Sequence, residues 1–337
     1  MRLVLTGPQR LRVMDDDPPA ERPGFVRLRV LYCGICRTDA KMWKEGHRDL
    51  VLPRVPGHEF VGADEHRNRF VVWPGDVCGR CRFCRGGREN LCENMRIIGF
   101  HRDGGFARYA LVPKGSLVPL PQGVALPLAC LAEPAGCAWH ALHRLHARKG
   151  MRMLIYGGGT LGVLAALVGR CWGVVPLVVE TSTGKIRKIR PILTAAGIRC
   201  VQRPREGGFD LALNACADAE AWRQCVERLA SGGRLCYFSG LDKSAQVPAG
   251  VLNILHYREI DLLGSYGLQR GDMSAALDLI AGQASLFEKL IEGVISPEEA
   301  PGRLADVLRG HSLRYLLDFA NWKRPVPDPD TENAAAV

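Results

Sequence analysis

Met153-Leu154-Ile155-Tyr156-Gly157-Gly158-Gly159-Thr160-Leu161-Gly162 carries an apolar strand pattern straight into G-x-G-x-x-G, and Leu161–Trp172 continues as a long apolar helix. A strand that turns on glycines and reopens as a helix is half of a βαβ unit, and a second strand pattern follows at Pro176–Glu180. Each glycine has its own task. Gly157 permits the tight turn, Gly159 lets backbone N–H groups reach a pyrophosphate at the helix N-terminus, and Gly162 lets helix and sheet pack closely. Thr160 and Leu161 fill the positions between them. Glu180, eighteen residues past Gly162 at the tip of the next strand, is placed to accept hydrogen bonds from adenosine ribose hydroxyls. A carboxylate there repels a 2′-phosphate, so NAD is expected ahead of NADP, with Lys185, Arg187 and Lys188 nearby as groups able to reverse the choice. The competing reading is a glycine turn in an empty Rossmann-like domain.

The alternation continues through strand Asp210–Asn214, helix Ala219–Ala230, strand Arg234–Ser239 and a strand near Ile260–Ser265, which describes a doubly wound parallel sheet. A helix at Trp139–Arg148 precedes the unit. After Gly267 come a helix at Met273–Gly282, a Pro-rich link, a helix at Pro297–Leu308 and a short strand at Arg314–Phe319. The tail from Lys323, rich in Pro, Asp and Ala, reads as disordered. Leu3 to about Pro121 differs: β-branched runs at Phe25–Tyr32, Phe70–Trp73 and Ala107–Val112 are separated by Gly and Pro, with one helix after Cys36, the pattern of a small β-rich domain.

Composition agrees with two domains: 337 residues at 47% apolar can bury a core in each. The net charge of +10, from 45 basic against 35 acidic residues, is scattered along the chain, which argues against nucleic acid as the partner. Met1–Arg10 has no signal-peptide core, and the longest apolar stretch, Leu154–Gly169, is broken by glycines, so no segment is expected to export or anchor the chain. Thirteen cysteines then point to a reducing compartment, the cytoplasm, where thiols hold metals or sit buried.

Cys78, Cys81, Cys84 and Cys92 form C-x2-C-x2-C-x7-C, tight enough for four thiolates to converge on one zinc in a closed, structural site. A looser set follows from Cys36, from His58 and Glu59 in Pro-Gly-His-Glu, and from Glu133 before Pro134; Cys, His and Glu with a position left open are what a catalytic zinc requires. His140, His143 and His146 recur every third residue on a helix, a spacing that drifts around the axis and reads as a solvated face.

Together these residues resemble the medium-chain, zinc-dependent alcohol dehydrogenase family, above all its polyol (sorbitol-like) and threonine dehydrogenase branches. The matching pieces are GICRTD at 34–39, PGHEFVG at 56–62, the four-cysteine lobe, DGGFARY at 103–109, AEP at 132–134, YGGGTLG at 156–162, SGGRL at 231–235 and GSYG at 264–267. The resemblance implies a GroES-like β-barrel catalytic domain over residues 1–135, a Rossmann NAD-binding domain over 136–266, a return to the catalytic domain over 267–322 and a tail over 323–337. It implies Cys36 and His58 as catalytic zinc ligands, Glu133 or Glu59 completing the shell, and Thr38 as the hydroxyl that relays the substrate proton. The family often places a His where this chain has Lys41, so proton exit is expected through water or Lys41. The stretch between Glu59 and Cys78 also looks shorter than usual.

The expected activity is hydride transfer between a secondary alcohol or polyol-like small molecule and NAD, with one catalytic and one structural zinc, in a homo-oligomer of two or four chains. Two other readings stand beside it: an NADPH-dependent aldehyde or ketone reductase, and a non-catalytic zinc-stabilised binding protein.

Overall fold

A computed structural model describes residues 1–15, 17–310 and 312–322; the tail expected to be disordered lies outside the described residues. Six parallel strands form one sheet in the order Arg199–Val201, Val175–Val179, Arg152–Tyr156, Phe209–Asn214, Leu229–Tyr237, Asp261–Gly264. The chain leaves Arg152–Tyr156 in one direction and later returns to its other side, so a crevice opens at the carboxyl ends of the central strands, where the glycine turn sits. Both faces of the central strand are covered. Met153 and Ile155 pack with Val163–Val168 and Ala138–Leu142, whereas Leu154 and Tyr156 pack with Trp222, Cys225 and Val226. That double burial is why the strand reads as an unbroken apolar run.

A seven-stranded sheet is built on the long strand Phe25–Ile35. Its first half pairs with Tyr109–Pro113, its second half with Arg314–Asp318, and its other edge with Glu59–Ala63, all antiparallel. Arg314–Asp318, close to the end of the described chain, thus lies beside residues from its beginning. Ile291–Ile295 joins the same sheet parallel to Arg314–Asp318, with the helix Ala300–Arg309 between them. Leu304 and Val307 of that helix share a core with Leu28, Ala40, Phe60 and Leu317.

Several expectations are corrected. The Trp139–Arg148 helix runs over Ala132–Arg144; Pro134 falls in its first turn, where the missing N–H would be unpaired anyway, so the proline does not exclude an earlier start. The helix expected to reach Ala230 stops at Arg228, because Gly232 at φ +71 admits a bulge that lets the strand begin at Leu229. The segment read as a Pro-rich link contains the helix Ala284–Glu288 and the strand Ile291–Ile295. A helix at Thr183–Ala195 was hidden by Pro191 and six polar or charged positions around Ile186, Ile189, Ile192 and Leu193, the residues it buries.

Candidate active site

Cys36 caps the helix Arg37–Glu45. Its backbone is extended (φ −84, ψ 153), its Sγ accepts the Thr38 N–H at 3.5 Å, and its own N–H donates to Asp39 Oδ2 at 2.8 Å, a capping box in which a thiol replaces the usual hydroxyl. Asp39 is 1% exposed. Its Oδ1 accepts the Gly57 N–H at 3.3 Å and lies 3.4 Å from His58 Nδ1, so one carboxylate fixes both the cysteine and the histidine. Gly57, at φ +90, cannot be replaced simply: a Cβ there would lie 2.4 Å from the Phe106 ring and 2.8 Å from Cys33 Sγ. Phe100 lies against His58, ring centroids 5.4 Å apart.

Glu59 opens the next strand and is fully buried, in room left by Gly34, where a Cβ would come within 2.6 Å of Glu59 Oε2. Arg314, also buried, reaches it from the strand Arg314–Asp318: Nη2 is 3.1 Å from Glu59 Oε1, and Nη1 donates to the Ile35 carbonyl at 2.7 Å. Cys36, His58 and Glu59 each bring a donor atom within 4.8 Å of the others. Glu133, in the first turn of Ala132–Arg144, is buried close by but outside that triplet, its Oε1 accepting the Cys137 thiol at 3.4 Å.

The electrostatics suit a cation. Burial alone would raise the Cys36 thiol, but the His58 imidazole and the Arg314 guanidinium outweigh it and bring it down to about 7. Burial opposes charge on His58, yet Asp39 and Cys36 hold it well above the usual imidazole range. Burial lifts Glu59 well above the carboxyl range despite Arg314, and lifts Glu133 despite His58. His58 Nδ1 faces Asp39 and Glu59 Oε1 faces Arg314, while Glu59 Oε2 is buried without a hydrogen bond. Sulfur, nitrogen and carboxylate donors, with that oxygen left unpaired, fit zinc, the ion this donor mixture favours.

The four-cysteine lobe forms a second cluster, Cys78, Cys81, Cys84 and Cys92 within 4.8 Å of one another. The Cys81–Cys84 and Cys78–Cys92 sulfurs are 3.5 and 3.6 Å apart, close to the ~3.8 Å edge of a tetrahedron with metal–sulfur bonds of about 2.3 Å. Backbone N–H groups of Arg80 and Cys81 bring Cys78 down to about 6, whereas burial and neighbouring thiols push Cys84 up to about 12. All thirteen cysteines are free thiols.

At the glycine turn Gly157 has φ +109, and a Cβ on Gly162 would fall 1.9 Å from the Gly157 carbonyl oxygen. Gly159 caps the helix Thr160–Cys171 and has open space where its Cβ would be. Thr160 Oγ1 donates to the Leu313 carbonyl at 2.9 Å, tying the turn to the chain just before Arg314. Leu161 is half-buried in the helix's first turn. Glu180 is buried; Oε2 accepts the Gly158 N–H and Oε1 the Ser182 N–H, both at 2.9 Å, with Lys185 Nζ 3.7 Å from Oε2. Thr38 and Lys41 are half-buried on the Cys36-capped helix, and Lys41 acts electrostatically on His47 and Asp242.

A family model described as the alcohol dehydrogenase GroES-like domain matches residues 22–122. Over 92% of this chain and 96% of the relative, the sequence is 30% identical to an L-threonine 3-dehydrogenase of Streptomyces avermitilis. A sorbitol dehydrogenase of Halalkalibacterium halodurans is 27% identical over 89% of this chain and 94% of its own. The chain belongs to the medium-chain, zinc-dependent alcohol dehydrogenase family. It is accordingly a zinc-type, NAD(P)-dependent oxidoreductase with a GroES-like domain and a Rossmann sheet, not a non-catalytic binding protein. A zinc-binding dehydrogenase of Sinorhizobium meliloti, solved bound to NADP, superposes with a TM-score of 0.84 over 94% of this chain and 98% of its own at 26% identity. Among the described residues no helix is long and apolar enough to cross a membrane.

Three site features escaped the sequence reading. Asp39 had a usable signal, the Cys-x-x-Asp spacing of a capping box. Arg314 had none, because an arginine beginning an apolar strand reads as a surface residue. His140, expected on a solvated face, is buried: its Nδ1 is 2.9 Å from Asp272 Oδ2 and its Nε2 3.3 Å from Asn90 Nδ2, a bridge from the cysteine lobe to two helices. His143 and His146 are exposed.

Proposed function

We propose that this dehydrogenase oxidises the secondary carbinol of a polyol-like small molecule with NAD, at a zinc ion held by Cys36, His58 and a carboxylate of Glu59 or Glu133. The observation that carries this reading is the convergence of Cys36, His58 and Glu59 within 4.8 Å, the cysteine from the cap of the helix Arg37–Glu45 and the other two from the entry to the strand Glu59–Ala63. Zinc bound there would supply Lewis acidity to a substrate hydroxyl. Asp39 holds the Cys36 cap and orients the His58 ring, Arg314 supplies the charge that faces Glu59, and Phe100 screens the imidazole from water. Thr38 Oγ1, in the first turn beyond Cys36, would take the carbinol proton and pass it to water or to Lys41.

A secondary hydroxyl is common to the substrates named in the sorbitol and threonine dehydrogenase relatives, and it is the class proposed here. Glu180, buried against the glycine turn, supports NAD over NADP, although the Sinorhizobium meliloti neighbour was solved with NADP. Residues 1–135 with 267–322 are read as the catalytic unit and 136–266 as the dinucleotide unit, with Gly157, Gly159, Thr160, Leu161, Gly162 and Glu180 facing the cofactor. Asp261–Gly264, the open edge of the six-stranded sheet with Leu262 exposed, supports pairing with a second copy. Thirteen free thiols support the cytoplasm as its compartment.

The test is a metal count together with NADH formation across a panel of secondary alcohols. The wild-type chain should carry two zinc ions, and Cys36→Ser should lose one of them and all turnover while binding NAD normally. Wild-type turnover in Cys36→Ser, or a single zinc in the unaltered chain, would overturn the assignment.

A further inference from the structure

The two carboxylates beside the proposed zinc are held by different means. Glu59 faces a fixed guanidinium at 3.1 Å, while Glu133 faces a thiol: Cys137, one turn along the same helix, donates to Glu133 Oε1 at 3.4 Å. Residues four apart on a helix share a face, so both look toward the cluster. Cys137 is half-buried, unlike Ala135, Ala138 and Ala141 around it, which are sealed in the core. Cys137 also packs against the main core, so serine, which keeps a donor of similar size, separates the hydrogen bond from the packing.

We propose that Cys137 is a positioning residue whose thiol holds Glu133 in one orientation beside Cys36, His58 and Glu59. The inference rests on the zinc reading above and names what tunes that site. A carboxylate on a three-bond side chain has several staggered orientations, and a hydrogen bond to one oxygen selects among them. Partners of this kind affect metal affinity by about 10- to 100-fold, and a thiol, a weak donor, belongs at the lower end. The role belongs to Cys137 in this chain: it requires only a donor at that helix position, so serine should serve as well.

The test is Co²⁺ titration of the full-length chain after chelator treatment, followed through thiolate-to-cobalt and ligand-field bands, with Cys36→Ser defining the contribution of the cysteine lobe. Cys137→Ala should weaken binding at the Cys36 site by about tenfold and shift the ligand-field bands, Cys137→Ser should restore both, and the two variants should unfold at the same temperature. In a Glu133→Ala background, which removes the acceptor, Cys137→Ala should change nothing further. Equal losses in the serine and alanine variants, an unchanged affinity in Cys137→Ala, or a loss that persists beside Glu133→Ala would overturn the proposal. If wild-type chain shows no cobalt signal beyond that of Cys36→Ser, the zinc reading itself falls, a result distinct from these.

Discussion

Glu180 accepts the Gly158 N–H through Oε2 at 2.9 Å, so the residue expected to receive the cofactor's ribose also braces the turn expected to receive its phosphates. Its second oxygen is committed to the Ser182 N–H, at the start of the following helix. One side chain thereby couples the two loops that flank the cofactor crevice.

Removing that brace leaves backbone donors with no partner, which costs about 1–3 kcal/mol. Glu180→Ala should therefore weaken NAD binding by roughly tenfold or more, and calorimetric titration measures it directly. Lys185→Ala, which removes only the ammonium 3.7 Å from Oε2, should leave NAD affinity nearly unchanged and weaken any NADP binding. Equal affinity for NAD in wild type and Glu180→Ala would contradict the bracing role.

The cysteine lobe is docked by hydrogen bonds to the rest of the chain. Asn90, two residues before Cys92, donates to the Tyr266 carbonyl at 3.2 Å and approaches His140 Nε2, while Glu89 Oε1 accepts the Arg270 N–H at 3.0 Å. Cys92→Ser should lose the lobe's zinc, expose residues 78–92 to protease and lower the unfolding midpoint by about 5 °C or more. Zinc analysis and limited proteolysis check this together; a lobe that stays protected without its ion would show that the protein contacts suffice.

What could be read from residues alone follows the range of the interactions. The glycine turn, the four cysteines and the Cys36 and His58 motifs each work over a few consecutive positions, so their spacing carries their chemistry. Arg314 meets Glu59 and Ile35 only because the chain returns to the first sheet, and His140 meets Asp272 across a gap of 132 residues. Spacing holds no trace of such pairs. Strand Met153–Tyr156 was legible because both its faces are buried, whereas Ile291–Ile295 alternates half-buried and exposed residues in a short run that composition does not distinguish from a loop.

Arg314 is the cation that faces the buried Glu59 carboxyl, and without it that group, already pushed well above the carboxyl range by burial, must hold its proton while the Ile35 carbonyl loses its side-chain donor; a buried polar group left without its partner costs about 1–3 kcal/mol. Arg314→Met should therefore destabilise the metal-free chain by about that amount in urea unfolding. Glu59→Gln added to it should recover part of the loss, since a neutral amide needs no countercharge. A double variant no more stable than Arg314→Met would show that the guanidinium contributes through the Ile35 carbonyl instead.

Glu292 ties the seven-stranded sheet to the helix Thr183–Ala195. Its Oε1 accepts from Lys188 on the helix Thr183–Ala195 at 2.5 Å and from the Tyr315 hydroxyl at 3.3 Å, and its Oε2 accepts the Leu313 N–H at 2.8 Å. Partial burial works to raise its pKa, but Lys188 and the Leu313 N–H prevail and hold it below the usual carboxyl range. A carboxyl group depressed on folding contributes stability that is fully present above its unfolded value, about 4.3, and lost as pH falls through the folded value. Glu292→Gln cannot titrate. It should be less stable than wild type by about 1 kcal/mol at pH 7, and the gap should close as pH drops from about 5 to below 4, because wild type declines toward the variant. Urea unfolding of both chains at stepped pH tests this: a gap that stays constant across the range would mean that Glu292 acts through packing rather than through its charge.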